Sequence, residues 1–366
     1  MDNRNIISKY DLFVSLIVTV IGTGSFSYSR ELSERVGSEG WIVILFTGVI
    51  VAILLYLVHK AIQLNNYDRL LDILHNNFGN IFGNFIAVLI AISGIFVVAL
   101  QMRIFIEVTK MYLLEKTPTE FMIFTMILTG TFFIRGEFES IIRFNEIAFW
   151  LTFIPILLTI PFILKGGDFT NILPVFTYEP IEYLKASKTS FFSFLGFGII
   201  YMLFPYVKEK NKISKTVSRS LGFIVGFYLI ITATSLVVFS KKYNSQLLWP
   251  AISMFFTVDI PGAFVERWEG IAMVFWILFY FTTYINIYYF DAEIIRDVFH
   301  LEDTKISLML IIPFIYAMAL YPGNVAEVYD IQSKIIPYID TTIIGILPIV
   351  LLIIAFFKTR RVKNEV

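Results

Sequence analysis

The sequence predicts an all-α, polytopic membrane protein with about ten transmembrane helices. The first observation is composition: 57% of the 366 residues are hydrophobic and 16% are charged, whereas soluble domains hold about 45–50% apolar and about 25% charged residues. The second is a series of apolar runs long enough to cross a bilayer, which takes about 20 residues. The third is a pair of glycine doublets that interrupt two of these runs at matching places in the two halves of the chain.

Ten apolar stretches follow one another, separated by short polar segments. The third and eighth are long enough to tilt or to extend beyond the bilayer. The predicted spans are residues 11–29, 41–63, 82–112, 119–135, 144–164, 188–207, 217–240, 267–296, 305–321 and 336–357. We expect residues 1–366 to form a single membrane domain, in which the glycine doublets mark a weak five-plus-five symmetry.

The distribution of Lys and Arg predicts the orientation, because cytoplasmic segments carry an excess of both. With both termini in the cytoplasm, the inner segments hold seventeen of the 29 basic residues, including a cluster at 208–215. We therefore expect cytoplasmic N- and C-termini. The basic clusters suit anionic lipid headgroups, and the formal net charge of zero gives no indication of nucleic-acid binding.

The glycine doublets are Gly22-Thr23-Gly24 in the first span and Gly196-Phe197-Gly198 in the sixth. Backbone groups freed by such a break cannot face lipid, so they line a cavity or are buried in protein. Paired interruptions in corresponding spans point to a transporter-type binding site. The alternative is close helix packing through small residues. At a site, a half-helix N-terminus would bind a carboxylate, and carbonyls at the other break would take an ammonium group or a cation.

Further candidates lie on the third and eighth helices. Thr282 and Thr283 fall near mid-span, although a membrane threonine often bonds back to its own helix. Apolar side chains, including Phe26 and Phe279, would form the remaining wall. The candidate ligand-binding residues are Gly22, Thr23, Gly24, Ser25, Val97, Leu195, Gly196, Phe197, Gly198, Thr282 and Thr283.

Few charges fall within the spans. Arg103 and Glu107 are four residues apart and are expected to pair on one helix face, either as a structural pair near the interface or as a gate. Asp291 lies near the inner end of its span, where water could reach it. The chain has no Cys and no phosphate-binding loop, nucleophile elbow or zinc-protease motif. We predict no enzymatic activity, no cofactor and no metal site.

Several segments resemble one family when their order and spacing are taken together. They are Gly40-Trp41-Ile42, Tyr112-Leu113-Leu114-Glu115-Lys116-Thr117-Pro118, Ser193-Phe194-Leu195-Gly196, Phe204-Pro205, Leu248-Trp249-Pro250-Ala251-Ile252-Ser253 and Phe264-Val265-Glu266-Arg267-Trp268-Glu269. The chain resembles, nearly end to end, the spore germination permease family, the B subunits of nutrient germinant receptors in endospore-forming bacteria.

The resemblance implies the amino acid–polyamine–organocation fold, a leucine-transporter-like architecture of five-plus-five inverted repeats with helices one and six broken. It also implies a nutrient site between helices one, three, six and eight, an A subunit, a lipoprotein C subunit and a location in the spore inner membrane. Many members carry Glu where this chain has Gly198.

Three hypotheses about function follow. The chain is a nutrient-sensing receptor subunit whose ligand is a small molecule such as an amino acid, a working secondary transporter, or a scaffold subunit with a vestigial pocket.

Overall fold

The computed structural model describes residues 6–22, 24–194, 196–257 and 268–364. Within these ranges the chain is almost entirely helical, and the one β-type pairing is an isolated parallel bridge between Ile7 and Val207. Six helical stretches of the described chain are long and apolar enough to cross a membrane, and three shorter apolar helices accompany them. Helices stand at all ten predicted span positions, which confirms the predicted all-α membrane fold.

The first half of the chain begins with a broken span. Ser8 and Asp11 form a capping box, in which each side chain accepts a hydrogen bond from the other residue's N–H and so fixes the first helix start. One short helix, Leu70–Phe78, follows the second span and was not predicted from the sequence. The helices are α1 (Lys9–Val20), α2 (Gly24–Val36), α3 (Gly40–Leu64), α4 (Leu70–Phe78), α5 (Asn80–Tyr112), α6 (Thr119–Ile134) and α7 (Phe138–Leu164).

The second half also begins with a broken span, formed by α8 (Pro180–Phe191) and α9 (Phe197–Tyr206). The tenth span differs from the prediction, because it is not one helix over 336–357: it begins earlier, and a π-helical segment, Thr341–Ile346, interrupts it. The helices are α8 (Pro180–Phe191), α9 (Phe197–Tyr206, partly 3-10), α10 (Ile213–Asn244), α11 (Pro250–Ser253), α12 (Trp268–Val298), α13 (Thr304–Leu320), α14 (Val325–Asp340) and α15 (Leu347–Asn364).

Helices α5 and α12 form the most extensive helix pair of the described chain. Along α12, Tyr280, Tyr284 and Tyr288 are four residues apart and share one face, and successive rings stack with centroids 5.8 and 5.5 Å apart. Phe105 of α5 stacks on Tyr280 at 4.5 Å. At Gly130 of α6, a side chain would overlap the Tyr284 ring. This tyrosine ladder therefore fixes α5 and α6 against α12.

Buried amides join three helices of the core. Asn145 of α7 and Asn286 of α12 are fully buried and exchange side-chain hydrogen bonds of 3.0 Å in both directions. Asn145 also donates to the hydroxyl of Ser15 on α1, at 3.2 Å. Because unsatisfied polar groups are costly in an apolar interior, these bonds hold α1, α7 and α12 in one arrangement.

The outer surface of the bundle carries large apolar side chains. Phe132 on α6, Leu158 on α7 and Met309 on α13 are all about two-thirds exposed, at 68%, 66% and 65%. Exposed apolar patches of this kind fit lipid rather than water. Together with the apolar helices, they identify a multi-pass membrane protein.

Candidate functional site

The break in the first span is closed by hydroxyl groups from α12. In a continuous helix the Val18 carbonyl would accept from the N–H of Gly22, four residues on, but that N–H bonds to Val20 instead. The Thr282 and Thr283 hydroxyls donate to the Val18 carbonyl at 3.0 and 3.3 Å. Both hydroxyls also bond back to their own helix. The freed carbonyl is thus satisfied by protein, as a membrane interior requires.

Gly22 allows α12 to approach this break closely. A side chain there would place its Cβ 2.6 Å from the Thr283 hydroxyl oxygen. On the other side of the break, the Ser25 hydroxyl and backbone N–H both donate to the Gly22 carbonyl, at 2.7 and 3.1 Å. Gly22, Ser25 and the two threonines therefore form a packed polar contact.

The break in the sixth span lies directly against the end of α1. Gly196 has φ +46°, in the left-handed region that favours glycine. A Cβ at this position would lie 2.8 Å from both the Thr19 carbonyl oxygen and the Val20 Cα. The Tyr228 hydroxyl of α10 lies between the two breaks, 2.7 Å from the Ser193 carbonyl oxygen and 3.4 Å from that of Val20. The two interrupted helices therefore meet backbone to backbone.

A cavity of about 60 Å³ opens beside the second break, enough for a few water molecules. Four elements surround it: α5, the break with the start of α9, α12, and the tenth span at its π-helical segment. Helical segments of this type recur at functional sites. The lining residues are Ile90, Gly94, Val97, Gly196, Gly198, Ile199, Ile287, Phe290, Asp291, Ile339, Ile343 and Ile344.

One carboxylate, that of Asp291, lies in this apolar wall. The side chain is 1% exposed, so it does not lie at the outer surface, and contact with water inside the cavity stays a prediction. Its Oδ2 atom is buried and has no hydrogen-bond partner among the described residues. Gly94 of α5 packs directly against it, and a side chain at this position would overlap the carboxylate oxygens. Glycine on α5 thus provides the space that this carboxylate occupies.

A family model described as spore germination protein matches residues 6–328. The chain belongs to the spore germination protein family. Spore germination protein A2 of Bacillus subtilis (strain 168) is 28% identical over 345 residues, 93% of each chain. Spore germination protein YndE of the same strain is 27% identical over 353 residues, 96% of each chain. Spore germination protein GerLB of Bacillus cereus is 23% identical, over 95% of this chain and 93% of that protein.

Among solved structures, a Na+-coupled sialic acid symporter in a substrate-bound, outward-open state has the same fold. The TM-score is 0.71 at 12% sequence identity, over 96% of this chain and 81% of the symporter. The germination protein described here therefore has the leucine-transporter-like fold that the resemblance implied, and it belongs to a permease-like rather than an enzymatic kind of protein.

The structure divides the predicted ligand residues of this germination protein between two places. Val97, Gly196 and Gly198 line the cavity. Gly22, Ser25, Thr282 and Thr283 form the polar contact at the first break, where α2 begins at Gly24. Phe197 is buried, and Thr23 and Leu195 lie outside the described residues.

Two residues of the predicted wall lie elsewhere in the core. Phe26 and Phe279 both pack on the Trp276 ring, with centroids 4.4 and 5.2 Å away, and neither lines the cavity. The predicted ion pair of α5 is present: Arg103 Nε lies 3.1 Å from Glu107 Oε1. The Arg103 guanidinium also donates to the Gly323 carbonyl, at 3.3 Å, and so ties α5 to the segment before α14.

Proposed function

We propose that this protein is the membrane subunit of a spore nutrient germinant receptor. In this proposal it binds a small nutrient, such as an amino acid, in the cavity beside the second break, and binding triggers germination. The membership of the spore germination family and the transporter-like fold support the role. The observation that carries the proposal is a cavity placed at a helix break, where backbone and side chains from four elements converge.

The shape and chemistry of the cavity suit a small, partly apolar ligand. Val97, Ile199 and Ile287 provide hydrocarbon surface, which would bury an aliphatic side chain. At Gly198 the wall is open, because a Cβ there would meet only the Ile343 side chain, at 3.9 Å. A ligand at this position would touch the break in the sixth span, the start of α9 and the π-helical segment. It would thereby couple its own binding to the relative position of these elements.

The receptor role also involves partners and a location. We expect an A subunit and a lipoprotein C subunit beside this chain in the spore inner membrane, with lipid around its apolar surface. Both termini would lie in the cytoplasm, as the excess of Lys and Arg in the inner segments indicates. The whole chain would act as one membrane domain, with inverted repeats at about 10–165 and 188–357.

The test fills the cavity without disturbing the helix contacts. Gly198→Val would extend a side chain into the cavity, whereas the matched control Gly226→Val adds the same atoms on α10, where a Cβ has no neighbour within 4 Å. Each variant replaces the chromosomal copy in the source spore-former, beside a strain with the gene deleted. Germination is followed as the fall in optical density against nutrient concentration, and the subunit is quantified by immunoblot.

We expect the Gly198→Val spores to lose the nutrient response that the deletion removes, at normal subunit abundance, while the Gly226→Val spores respond like the parent. A parental response from Gly198→Val spores would exclude the cavity as the sensor. If the deletion strain responded to all nutrients like the parent, the receptor role itself would fail. Concentrative uptake of radiolabelled amino acids by proteoliposomes containing this chain alone would instead favour a secondary transporter.

A further inference from the structure

We propose that Asp291 is the residue that selects the ligand, by binding a positively charged nitrogen such as the ammonium group of an amino acid or a primary amine. This inference rests on the proposed function, since it assigns a ligand class to the same cavity. It shifts the recognition of the ammonium from backbone carbonyls at the helix breaks, where the sequence suggested it, to a side chain of α12.

The position of Asp291 is the first observation. Its side chain is buried and lines the cavity, and Oδ2 has no hydrogen-bond partner within the described part of the chain. Buried polar groups in proteins are nearly always hydrogen-bonded. An ionisable side chain within a membrane span is costly and is retained mainly at functional sites. A buried carboxylate with an unpartnered oxygen, on a side chain that lines the cavity, therefore points to a polar partner that binds there.

The second observation is that the opposite helix accommodates the carboxylate. A side chain at Gly94 would overlap the Asp291 carboxylate oxygens, so any other residue at this position would displace the group. Ile90 and Val97, on the neighbouring turns of α5, continue the cavity wall as hydrocarbon. The carboxylate is therefore held at one defined place, with apolar surface on both sides.

The charge around Asp291 is the third observation. No lining residue of the cavity is Lys, Arg or His. Arg296, five residues further along α12, is already engaged: it lies 2.6 Å from Asp297 Oδ1 and 3.7 Å from Glu293 Oε1. An isolated charge is expensive to bury. A cationic ligand removes that cost.

The chemistry of an ammonium group fits this arrangement. It carries three N–H donors and no acceptor, so it can satisfy the buried carboxylate with a short, charge-assisted hydrogen bond. The hydrocarbon part of the ligand would then lie against Val97 and Ile287. An ionised carboxylic acid of the same size has no N–H or O–H donor and gains no such bond. The ligand class is therefore small aliphatic amino acids and amines.

The experiment measures binding to the full chain in lipid nanodiscs through its melting temperature. The probes are the four aliphatic amino acids L-alanine, L-valine, L-leucine and L-isoleucine, each with its decarboxylated amine and its des-amino carboxylic acid. The variants are Asp291→Asn, which keeps the shape and removes the charge, and Glu302→Gln, a matched charge change at an exposed residue outside the cavity. Melting curves over a range of probe concentrations give a Kd for each combination of protein variant and probe.

We expect at least one amino acid or amine to raise the melting temperature of the parent, and its des-amino analogue to leave it unchanged. Asp291→Asn should weaken that binding about tenfold or more, and Glu302→Gln should not alter it. Without ligand, the Asp291→Asn chain should melt at the parental temperature or above, because a buried carboxylate has been removed.

Three results would overturn the inference: parental affinity in Asp291→Asn, equal binding of the des-amino analogue, or no stabilisation of the parent by any probe that carries an amine. None of these would decide the receptor role. That role depends on the response of spores with the gene deleted, so the two proposals can fail separately.

Discussion

Replacing Gly196 by alanine tests whether the two broken helices are held together by backbone contact. The added Cβ would lie 2.8 Å from the Thr19 carbonyl oxygen and 2.8 Å from the Val20 Cα. Both neighbours are backbone atoms at the end of α1, so neither can rotate away. The residue also has φ +46°, which an L side chain adopts only at a cost.

The expected destabilisation is the sum of two contributions. A non-glycine residue in the left-handed region costs about 1–2 kcal/mol. Forcing an additional carbon into a packed interior costs about 1–3 kcal/mol. The total, about 2–5 kcal/mol, is a large fraction of an ordinary unfolding free energy of about 5–15 kcal/mol.

Thermal unfolding of the full chain in nanodiscs measures this effect. At roughly 2 °C per kcal/mol for a chain of this size, Gly196→Ala should lower the melting temperature by at least about 4 °C. Gly226→Ala is the matched control, because its Cβ meets nothing within 4 Å. The melting temperature of Gly22→Ala should lie between those of Gly196→Ala and Gly226→Ala. The added Cβ at Gly22 meets the Thr283 side chain, which can change rotamer.

Melting of Gly196→Ala within about 1 °C of the Gly226→Ala control would refute the reasoning. It would mean that the two breaks separate readily, so that Gly196 is not fixed by its contact with α1. The order of the three variants is the more demanding part of the prediction, because it depends on whether backbone or side-chain atoms face each glycine.

Three further predictions concern topology and the polar contacts. The chain lacks Cys, so single cysteines can report the orientation. A cysteine at Gln246 should react with an impermeant thiol reagent from outside, and one at Ser214 should not, although both positions are exposed. The reverse pattern would show that the orientation is inverted. Thr283→Val removes one of the two hydroxyls that donate to the Val18 carbonyl. It should lower the free energy of unfolding by about 0.5–1.5 kcal/mol, measured by thermal unfolding. An unchanged free energy would mean that the Thr282 hydroxyl alone satisfies the carbonyl. Asn145→Leu and Asn286→Leu should each cost about 1–3 kcal/mol by orphaning the other amide, and the double variant should cost less than their sum; strict additivity would contradict the pairing.

The spans could be predicted from the sequence because apolarity and length are local properties. Helix α4 was missed because spans are recognised by their length, and Leu70–Phe78 is too short to cross a bilayer. The spacing of Leu70, Ile73 and Leu74 is nevertheless that of one buried helix face. The π-helical interruption of the tenth span was missed, although Pro337 and Pro348 flank it and each removes a backbone donor from a regular helix.

The candidate site could be predicted only in part. The glycine doublets indicated both breaks, since glycine marks places where backbone groups approach one another. The sequence did not indicate that Asp291 faces Gly94, because the two residues lie on different helices and no periodicity relates them. The threonines of α12 were expected near a ligand, and whether they contact one stays a prediction; the hydrogen bonds of their hydroxyls go to the end of α1 and to their own helix.

The closure of the first break by α12 has a consequence for biosynthesis. The Val18 carbonyl depends on Thr282, which lies 264 residues further along the chain. At about 5–20 residues per second, the ribosome needs roughly 13–53 s to make that length. The hydroxyl of Ser15 accepts a hydrogen bond from Asn145, which is made 130 residues later. Until α12 is made, the Val18 carbonyl lacks the two hydroxyl donors of Thr282 and Thr283, so the closure of the first break is completed only when the eighth span packs against it.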